Sequence, residues 1–355
     1  MNGAKCLVQT LVNTGVDVCF TNPGTSEMHF VTSLDAVEGI RPILGLFEGV
    51  VTGAADGYGR MAGKPAATLL HLGPGLANGL ANLHNAKRAR SPIVNVVGDH
   101  ATFHKQYDAP LQSDVEGTAG PVSDWVRTVT SSASIAADAA DAVTAACGPP
   151  GSVSTLILPA DLSWNETSAV PVERLLRRDP RAVASDTIDR LAGILSSGES
   201  TLLLIKGEAL LVEGLAAASR VAEVSGAQLY CDTFVSRIQR GVGRAKIWRL
   251  PYFGEAVVKK MAGVRHLILV GAQPPVSFFA YPEKPSWLVP DDCEVHILAE
   301  PDENATQALL DLAGALNAAP EATSTYDAHR PELLTGSLTP GSIAATVGAF
   351  LPENA

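Results

Sequence analysis

Paired cysteines, an excess of basic charge and long apolar runs are all missing from this sequence of 355 residues. The five cysteines lie far apart with no paired spacing, which argues against a disulfide framework and a cysteine zinc site. No apolar run approaches the roughly 18 residues that a membrane-spanning helix needs. The N-terminus also lacks the charged-then-apolar pattern of a signal peptide. These absences predict a soluble cytoplasmic protein with no membrane partner.

Acidic residues outnumber basic ones, 37 to 26, so the formal net charge is −11. A surface of this sign opposes non-specific binding to nucleic acid, and we expect no nucleic-acid partner. The chain is 46% hydrophobic and 18% charged, which is typical of a protein with buried cores and excludes a disordered or fibrous chain. The length predicts two domains, or two and a fraction.

Short apolar runs alternate with longer segments rich in small residues, which is the pattern of βα units. Continuous apolar strands, such as Ile-Val-Asn-Val-Val at 93–97, favour a parallel sheet covered on both faces. The predicted fold class is therefore α/β, with two doubly wound parallel-sheet domains at 1–165 and 187–320. A polar, proline-punctuated linker at 166–186 joins them, and we predict a second linker and a single helix over 321–355.

The same patterns predict individual elements. In the first domain we place strands at 16–21, 42–47, 66–72, 93–97 and 156–159, and helices at 4–13, 26–36, 49–61, 76–89 and 136–146. In the second domain we place strands at 201–205, 228–231, 266–270 and 294–298, and helices at 186–196 and 208–224.

Glu48 stands where an apolar strand gives way to a helix built largely of small residues. At the carboxyl end of a strand, a side chain points into the crevice where open α/β sheets bind ligands. Phe47 and Val50 flank this carboxyl and leave it poorly solvated, so it is suited to hold or donate a proton near neutrality. An ordinary glutamate favoured by the dipole of its helix is the alternative, and position alone leaves both open.

Gly73-Pro74-Gly75 follows a strand and precedes a helix. Glycine turns at a helix N-terminus leave backbone amides free for an anion, and Asp99 at the end of the next strand suits a ribose hydroxyl, as in a dinucleotide site. Against this reading, Pro74 has no amide and the loop follows the third strand, not the first. A tight structural turn and another kind of cofactor contact remain as alternatives. The motifs of P-loop, α/β-hydrolase and zinc-protease enzymes do not occur.

His71 ends the strand before this loop, which makes it the best candidate among the eight histidines to face a site. A hydrogen-bonded core histidine is the alternative. Thr25 and Ser26 lie in a turn that leads into a helix, where either hydroxyl is a natural N-cap. The same hydroxyls are also placed to touch a substrate at this edge of the sheet.

Together these motifs resemble the amino-terminal part of the thiamine diphosphate-dependent enzymes, in the acetolactate synthase and benzoylformate decarboxylase group. The second α/β unit resembles the middle domain of that family by placement and rhythm alone. The matching motifs occur in family order: Asn-Pro-Gly-Thr-Ser-Glu at 22–27, Glu48, Ala-Asp-Gly-Tyr-Gly-Arg at 55–60, Gly-Lys-Pro at 63–65, Gly-Pro-Gly at 73–75, Ser-Pro-Ile-Val at 91–94 with Gly98, and Asp114 ahead of Pro-Val at 121–122.

The resemblance implies a pyrimidine-binding domain followed by a Rossmann-like middle domain, with thiamine diphosphate as the cofactor. In this family the glutamate matching Glu48 hydrogen-bonds the aminopyrimidine ring and favours the imino tautomer that removes the thiazolium proton, which prepares attack on a 2-oxo acid. The catalytic residues implied are Glu48 and His71. Those implied to contact the cofactor are Glu48, Pro23, Gly24, Gly73, Pro74 and Asn78, and those implied to contact the substrate are Thr25, Ser26, His71 and Gln112.

The acceptor stays open because the motifs point in two directions. Gly73-Pro74-Gly75 is similar to acetolactate synthases, in which a second 2-oxo acid gives carboligation. His71 matches a proton-shuttling histidine of benzoylformate decarboxylase, and Thr25 matches a substrate-contacting serine there, which favours a proton as acceptor and an aldehyde as product. Flavin adenine dinucleotide (FAD) binds the middle domain of acetolactate synthases, but no residue pattern secures it in this sequence.

One departure from the family concerns the diphosphate. The family's third domain holds it through Mg²⁺ with a Gly-Asp-Gly…Asn segment, which this sequence lacks, so we predict no metal ligand within the chain. The family's active site lies between two subunits, which implies a homodimer or homotetramer, and we expect the chain alone to bind cofactor weakly without turnover. Two alternatives remain: a nucleotide-binding oxidoreductase that uses NAD or FAD at Gly73–Gly75 and Asp99, and a non-catalytic subunit of the same fold.

Overall fold

The computed structural model describes residues 1–175 and 178–352. Contacts divide the chain into two compact units. The first unit comprises Met1–Arg181 with Val235–Arg237 and Pro301–Glu303, and the second comprises Ala182–Phe234, Ile238–Glu300 and the residues from Asn304 onward. Positions 176–177 of the predicted linker and 353–355 of the predicted C-terminal segment lie outside the described residues.

The first unit is built on a parallel sheet of six strands. The sheet order is β2-β1-β3-β4-β6-β5, and every neighbouring pair is parallel. The order along the sheet reverses between β1 and β3, which is the switch point where doubly wound sheets bind ligands. The strands are β1 (Val18–Asn22), β2 (Arg41–Leu44), β3 (Ala66–Leu70), β4 (Ile93–Asp99), β5 (Trp125–Thr128) and β6 (Val153–Pro159).

Helices cover both faces of this sheet, which explains why its central strands are buried throughout and mostly apolar. One core gathers around α1 and α6, and the other around α3 and α4. A Cβ added at Gly79 of α4 would lie 2.8 Å from Thr52 Cγ2 of α3, so small residues are needed where these two helices meet. The helices are α1 (Gly3–Asn13), α2 (Met28–Ala36), α3 (Glu48–Ala62), α4 (Leu72–Ala89), α5 (Val115–Ala119), α6 (Ile135–Cys147) and α7 (Ala160–Trp164).

The second unit contains a five-stranded parallel sheet, in the order β11-β10-β7-β8-β9. Counted within the unit, this is the 3-2-1-4-5 order of Rossmann folds, so the predicted fold class is confirmed for both units. No helix among the described residues is long and apolar enough to span a membrane. The strands are β7 (Thr201–Ile205), β8 (Gln228–Cys231), β9 (Trp248–Arg249), β10 (His266–Val270) and β11 (Glu294–Ala299); the helices are α8 (Ser185–Leu195), α9 (Val212–Ser225), α10 (Gly254–Met261), α11 (Ala305–Ala315) and α12 (Pro340–Phe350).

Two kinds of element differ from the sequence prediction. Helix α4 begins at Leu72, so Gly73, Pro74 and Gly75 form its first turn and not a loop. A proline is tolerated there because the first amides of a helix have no partner within it. No element was predicted for β5, α10 or α11. Strand β5 and helix α10 are short, with four and eight residues, whereas α11 has 11 residues and buries an apolar stripe at helical spacing that the sequence prediction overlooked.

The described part of the predicted linker lies along the first unit. Ala169 and Val172 pack against the core around α1. The carbonyl of Val172 accepts a hydrogen bond from Asn13 Nδ2 at 3.0 Å, and Gly3 N–H donates to the carbonyl of Asn165 at 3.0 Å. Residues 165–172 therefore lie along the surface of α1 and are hydrogen-bonded to it.

A ladder of buried polar side chains crosses β3, β4 and β6. Thr68 Oγ1 donates to Asn95 Oδ1 at 2.6 Å, and Asn95 Nδ2 donates to Thr155 Oγ1 at 3.0 Å. Ser123 Oγ continues the ladder, 2.7 Å from Thr155 Oγ1. All four side chains are buried, so each hydrogen bond replaces one that water would otherwise supply.

Candidate active site

The connections that follow four neighbouring strands, β2, β1, β3 and β4, meet at the carboxyl edge of the first sheet. They bring together the turn at 23–27 after β1, Glu48 after β2, His71 after β3 and Gly98 near the end of β4. This edge includes the switch point between β1 and β3, so the topology itself places a ligand crevice here.

Glu48 is the first residue of α3 and is only 8% exposed. Asn78 Nδ2 of α4 donates to Glu48 Oε2 at 3.0 Å, while no described residue donates to Oε1 and no described lysine or arginine pairs with the carboxylate. A Cβ at Gly75 would lie 3.1 Å from Oε1, so glycine keeps that oxygen accessible. A buried carboxyl group with one oxygen held and one oxygen free is suited to a hydrogen bond with a ligand.

His71 is held by a carboxylate that the sequence prediction missed. Its Nδ1 lies 2.8 Å from Glu27 Oε2, and the same oxygen accepts the Gly24 N–H at 2.8 Å. Because a carboxylate can only accept, Nδ1 carries the proton and Nε2 of a neutral ring is left as an acceptor. Glu27 therefore fixes the tautomer of His71 from a position that is 3% exposed.

Two glycines make this pairing sterically feasible. A Cβ at Gly24 would overlap the His71 ring, and a Cβ at Gly98 would overlap Glu27 Oε1. Both residues therefore provide the close approach of backbone to side chain that only glycine allows. Gly24 was predicted as a cofactor contact; the structure shows it packed against the imidazole.

Six buried polar side-chain atoms have no hydrogen-bond partner among the described residues, and all lie in the first unit near the carboxyl ends of its strands. A buried polar atom without a partner costs about 1–3 kcal/mol, so a ligand that satisfies some of these atoms would be stabilised. Ser113 packs against Gly73, where an added Cβ would overlap Ser113 Oγ. The six atoms are Thr21 Oγ1, Glu27 Oε1, His100 Nε2, Gln112 Oε1, Ser113 Oγ and Ser163 Oγ.

The predicted capping role of Thr25 and Ser26 is wrong. Gly24 caps the short 3₁₀ turn at Thr25–Glu27, and the long side chain of Glu27 reaches back to the Gly24 amide in place of a hydroxyl. Thr25 is exposed, while Ser26 and the preceding Pro23 are half-buried. These three residues and the exposed Pro74 lie at the same carboxyl edge, where their predicted ligand contacts remain predictions.

Asp99 and the glycine turn are engaged by their own unit, which disfavours the dinucleotide interpretation. Asp99 forms an ion pair with Lys105 and accepts the His100 N–H at 2.8 Å. The Gly75 N–H donates to the carbonyl of His71 at 2.8 Å, so it is used within the helix. Neither the acid nor this amide is left to hold a ribose or a phosphate.

Leu72, between His71 and Gly73, adopts a left-handed backbone conformation with φ of 52°. For a residue with a branched side chain this costs about 1–2 kcal/mol. Its side chain is buried in the core, which holds the strained conformation in place. Strain of this kind gathers where a fold must present a neighbouring side chain in a fixed direction, here His71.

Comparison with known proteins gives consistent results. Residues 1–118 match the family model of the thiamine pyrophosphate enzyme N-terminal TPP-binding domain. A Mycobacterium tuberculosis protein named as an acetolactate synthase large subunit, IlvX, is 53% identical over 361 residues, covering 100% of this chain and 68% of that protein. Benzoylformate decarboxylase of Pseudomonas aeruginosa is 32% identical over 171 residues, which cover 48% of this chain and 32% of that protein.

Solved structures show the same fold. The thiamine diphosphate-dependent 4-hydroxybenzoylformate decarboxylase of Rhodococcus jostii superposes with a TM-score of 0.82 at 20% identity, covering 100% of this chain and 70% of that chain. Benzoylformate decarboxylase of Polynucleobacter necessarius gives a TM-score of 0.76 at 19% identity, covering 97% and 67%. The chain thus spans about two thirds of these structures and about one third of the curated decarboxylase.

Proposed function

The chain belongs to the thiamine diphosphate-dependent enzymes, and from that premise we propose that its first unit provides the pyrimidine side of an active site for decarboxylation of a 2-oxo acid. The observation that carries the proposal is the Glu48 carboxyl group, buried at the switch-point edge, held by Asn78 and unpaired with any described cation. Glu48 Oε1 is therefore left to form a hydrogen bond with a nitrogen of a heterocyclic ring.

The residues present fit the cofactor. Glu48 Oε1 is an acceptor with no described donor, and Gly75 leaves room beside it. The residues that we propose to complete the pyrimidine site are Pro23, Gly24, Gly73, Pro74 and Asn78. Thiamine diphosphate, when bound, supplies the electron sink that loss of CO₂ from a 2-oxo acid requires.

Two side chains handle protons in this proposal. Glu48 exchanges a proton at Oε1 while Asn78 fixes the other oxygen, so the carboxyl group keeps its orientation without water. His71 takes or delivers a proton at Nε2, because Glu27 holds Nδ1 in its protonated form. Thr25, Ser26 and Gln112 are the remaining residues that we propose to contact the substrate.

Decarboxylation is the first step toward both products that the relatives' names suggest. A second 2-oxo acid as acceptor gives carboligation, the acetolactate synthase type of reaction, and a proton from His71 gives an aldehyde. Incubation with pyruvate separates the two outcomes, since acetolactate and acetaldehyde are distinguished by product analysis. No observation favours the NAD alternative, because Asp99 is already paired with Lys105.

We propose that the site is completed by a diphosphate-binding module with Mg²⁺ and by a second subunit, in a homodimer or homotetramer. Large apolar side chains next to Glu48 support a partner surface here, since Leu44, Phe47 and Val50 are exposed and Leu46 is 90% exposed. The chain spans 68% of its M. tuberculosis relative. Supplied with cofactor but without these additions, it is expected to bind weakly and not to turn over.

Glu48→Gln in the complete gene product tests the proposal. With thiamine diphosphate, Mg²⁺ and pyruvate or benzoylformate, we expect kcat/KM to fall by about 10²- to 10⁴-fold, the usual contribution of a positioned proton-transfer group. Glu38→Gln, which changes an exposed glutamate of the same unit, is the matched control and is expected to keep wild-type activity. Wild-type proton exchange at the reactive thiazolium carbon in Glu48→Gln would refute the assignment.

A further inference from the structure

Two histidines and a glutamate meet at the amino-terminal edge of the second sheet, opposite the edge where such sheets bind substrates. His266 is the first residue of β10, and it pairs in register with Glu294, the first residue of β11. His296 lies two residues further along β11, so its side chain projects from the same face as that of Glu294. The register of two parallel strands therefore places all three side chains together.

The three donor atoms form a triangle of the size that a metal ion requires. His266 Nδ1 and His296 Nε2 are 3.1 Å apart, and Glu294 Oε2 lies 3.9 Å from the first and 3.8 Å from the second. Bonds of 2.0–2.1 Å in a tetrahedral site give ligand-to-ligand distances of about 3.3 Å. The Glu294 side chain is 73% exposed, so it can close the remaining few tenths of an ångström without repacking.

A second carboxylate orients the first histidine. Glu199 Oε2 lies 2.9 Å from His266 Nε2, which places the ring proton on Nε2 and leaves the Nδ1 lone pair directed at His296. A carboxylate that accepts from the far nitrogen of a histidine is the usual support of a metal ligand. This contact is an observation independent of the triangle.

We propose that His266 Nδ1, His296 Nε2 and Glu294 bind a divalent transition-metal cation of the Zn²⁺ type. Two imidazole nitrogens and one carboxylate oxygen favour Zn²⁺, Ni²⁺ or Cu²⁺ over Mg²⁺ and Ca²⁺, which prefer oxygen ligands. Both histidine side chains are 10% exposed, so protein would shield the ion on the histidine side. Water would complete its coordination on the side of the exposed Glu294. The ion would tie the edge strand β11 to β10.

Arg190 of α8 competes with the ion. Its Nη1 lies 3.3 Å from His296 Nδ1, and an arginine only donates, so without metal Nδ1 accepts this hydrogen bond. Metal on Nε2 requires the proton on Nδ1, and the two arrangements exclude each other. Arg190 is exposed and free to move away, so its removal should strengthen metal binding.

Calorimetric titration of the EDTA-treated chain with Zn²⁺ tests the site. We expect Glu199→Ala to weaken binding about tenfold, within the range found when a supporting group is removed, and His296→Gln, which removes a ligand, to weaken it by about a hundredfold or more. Glu294→Gln is expected to weaken it about tenfold, and Arg190→Gln to tighten it. Glu213→Gln, an exposed glutamate on α9, is the matched control and should leave the affinity unchanged.

Visible absorption of bound Co²⁺ gives a second readout, since four-coordinate Co²⁺ should produce intense bands in the wild type that disappear in His296→Gln. Should His296→Gln fail to fold, Glu294→Gln decides, because Glu294 is exposed. Zn²⁺ binding that Glu294→Gln leaves at wild-type strength, or no Zn²⁺ binding at all by the wild type, overturns the proposal. Neither result bears on Glu48, since no turnover is measured.

Discussion

The two sheets of this protein are both parallel and doubly wound, yet the polar clusters that we propose as sites lie at opposite edges. In the first unit the carboxyl edge holds Glu27, Glu48 and His71. In the second unit the carboxyl edge carries aromatic rings, with Tyr252 stacked on Phe278 at 4.8 Å, and the histidine pair lies at the amino-terminal edge. Topology fixes where a crevice forms, and side chains decide which edge is used.

Two glycines beside the proposed active site and two glycines in helices of the second unit differ in how closely they are packed. Gly24 and Gly98 of the first unit touch the His71–Glu27 pair so closely that any side chain would overlap it. Gly193 and Gly314, in helices of the second unit, have no neighbouring atom within 4 Å of an added Cβ. Beside the His71–Glu27 pair the backbone therefore comes closer than any residue with a side chain allows, whereas the two helix positions have room for one.

The largest effect after Glu48→Gln is expected from Glu27→Gln, which keeps the size of the side chain and removes its charge. An amide no longer fixes the Nδ1 proton of His71, so we expect kcat/KM to fall by about a hundredfold, the low end for a proton-transfer group. The loss should fall on kcat and leave KM near its wild-type value, because Glu27 is buried and acts through His71.

Steady-state kinetics of the complete gene product, with kcat per folded enzyme and KM measured separately and Glu38→Gln as control, separates a positioning role from a structural one. A merely structural Glu27 would lower the amount of folded enzyme and leave kcat per folded enzyme unchanged. Equal kcat per folded enzyme in Glu27→Gln and wild type would contradict the role assigned to Glu27.

Alanine at one tight and one open glycine sharpens the comparison of packing. Gly98→Ala drives a methyl group into Glu27 and should destabilise the protein by about 1–3 kcal/mol. Gly193→Ala, at an exposed position in the last turn of α8, should instead stabilise it by about 0.5–1 kcal/mol. Urea unfolding of both variants measures the two signs, and a neutral Gly98→Ala would contradict the steric argument.

The smallest expected effect is a local loss of stability at low pH around Glu223, a carboxylate of the second unit that is hydrogen-bonded to residues 323 and 324. Burial raises the pKa of Glu223, but hydrogen bonds from the Ser324 and Thr323 amides and the Thr323 and Ser219 hydroxyls outweigh it and lower the pKa to about 2. Because the folded pKa is depressed, this stabilisation is complete above the usual 4.5 and is lost as pH falls toward 2.

Hydrogen exchange of the Thr323 and Ser324 amides, corrected for intrinsic rates, measures this loss. Their protection should fall between pH 4.5 and 2 in the wild type and should already be low at neutral pH in Glu223→Gln. Glu213→Gln provides the control on the same helix. Unchanged protection in Glu223→Gln would show that other contacts hold this segment.

Much of the architecture was predictable from the sequence, and the family prediction is confirmed. Apolar runs such as β4 and β7 identify buried parallel strands because side chains on both faces must be covered. The start of α4 was misplaced because Gly73 and Pro74 have low helix propensity, which tertiary packing overrode. Strand β5 escaped prediction because it has only four half-buried residues.

The site was predictable only in part because its contacts join residues that are distant in sequence. Glu48 stood out by its position between strand and helix. Glu27 and His71 are 44 residues apart in the chain, and they meet only because β1 and β3 are neighbours in the sheet. The alternation of Glu294 and His296 was the one local signal for the second cluster. The third residue, His266 on β10, joins the cluster through the register of the two strands, and that register cannot be read from the spacing of residues in the sequence.

The polar ladder through Thr68, Asn95 and Thr155 has a consequence for precision at the crevice. If the register of β4 against β3 or β6 shifted by one residue, Asn95 would turn to the opposite face of the sheet. The side chains of Thr68, Asn95 and Thr155 would then be buried without hydrogen-bond partners. Misaligned pairing of these strands therefore destabilises the fold at positions away from the proposed ligand. The ladder fixes the register of β3 and β4, and with it the distance between His71 and Gly98, in the absence of cofactor.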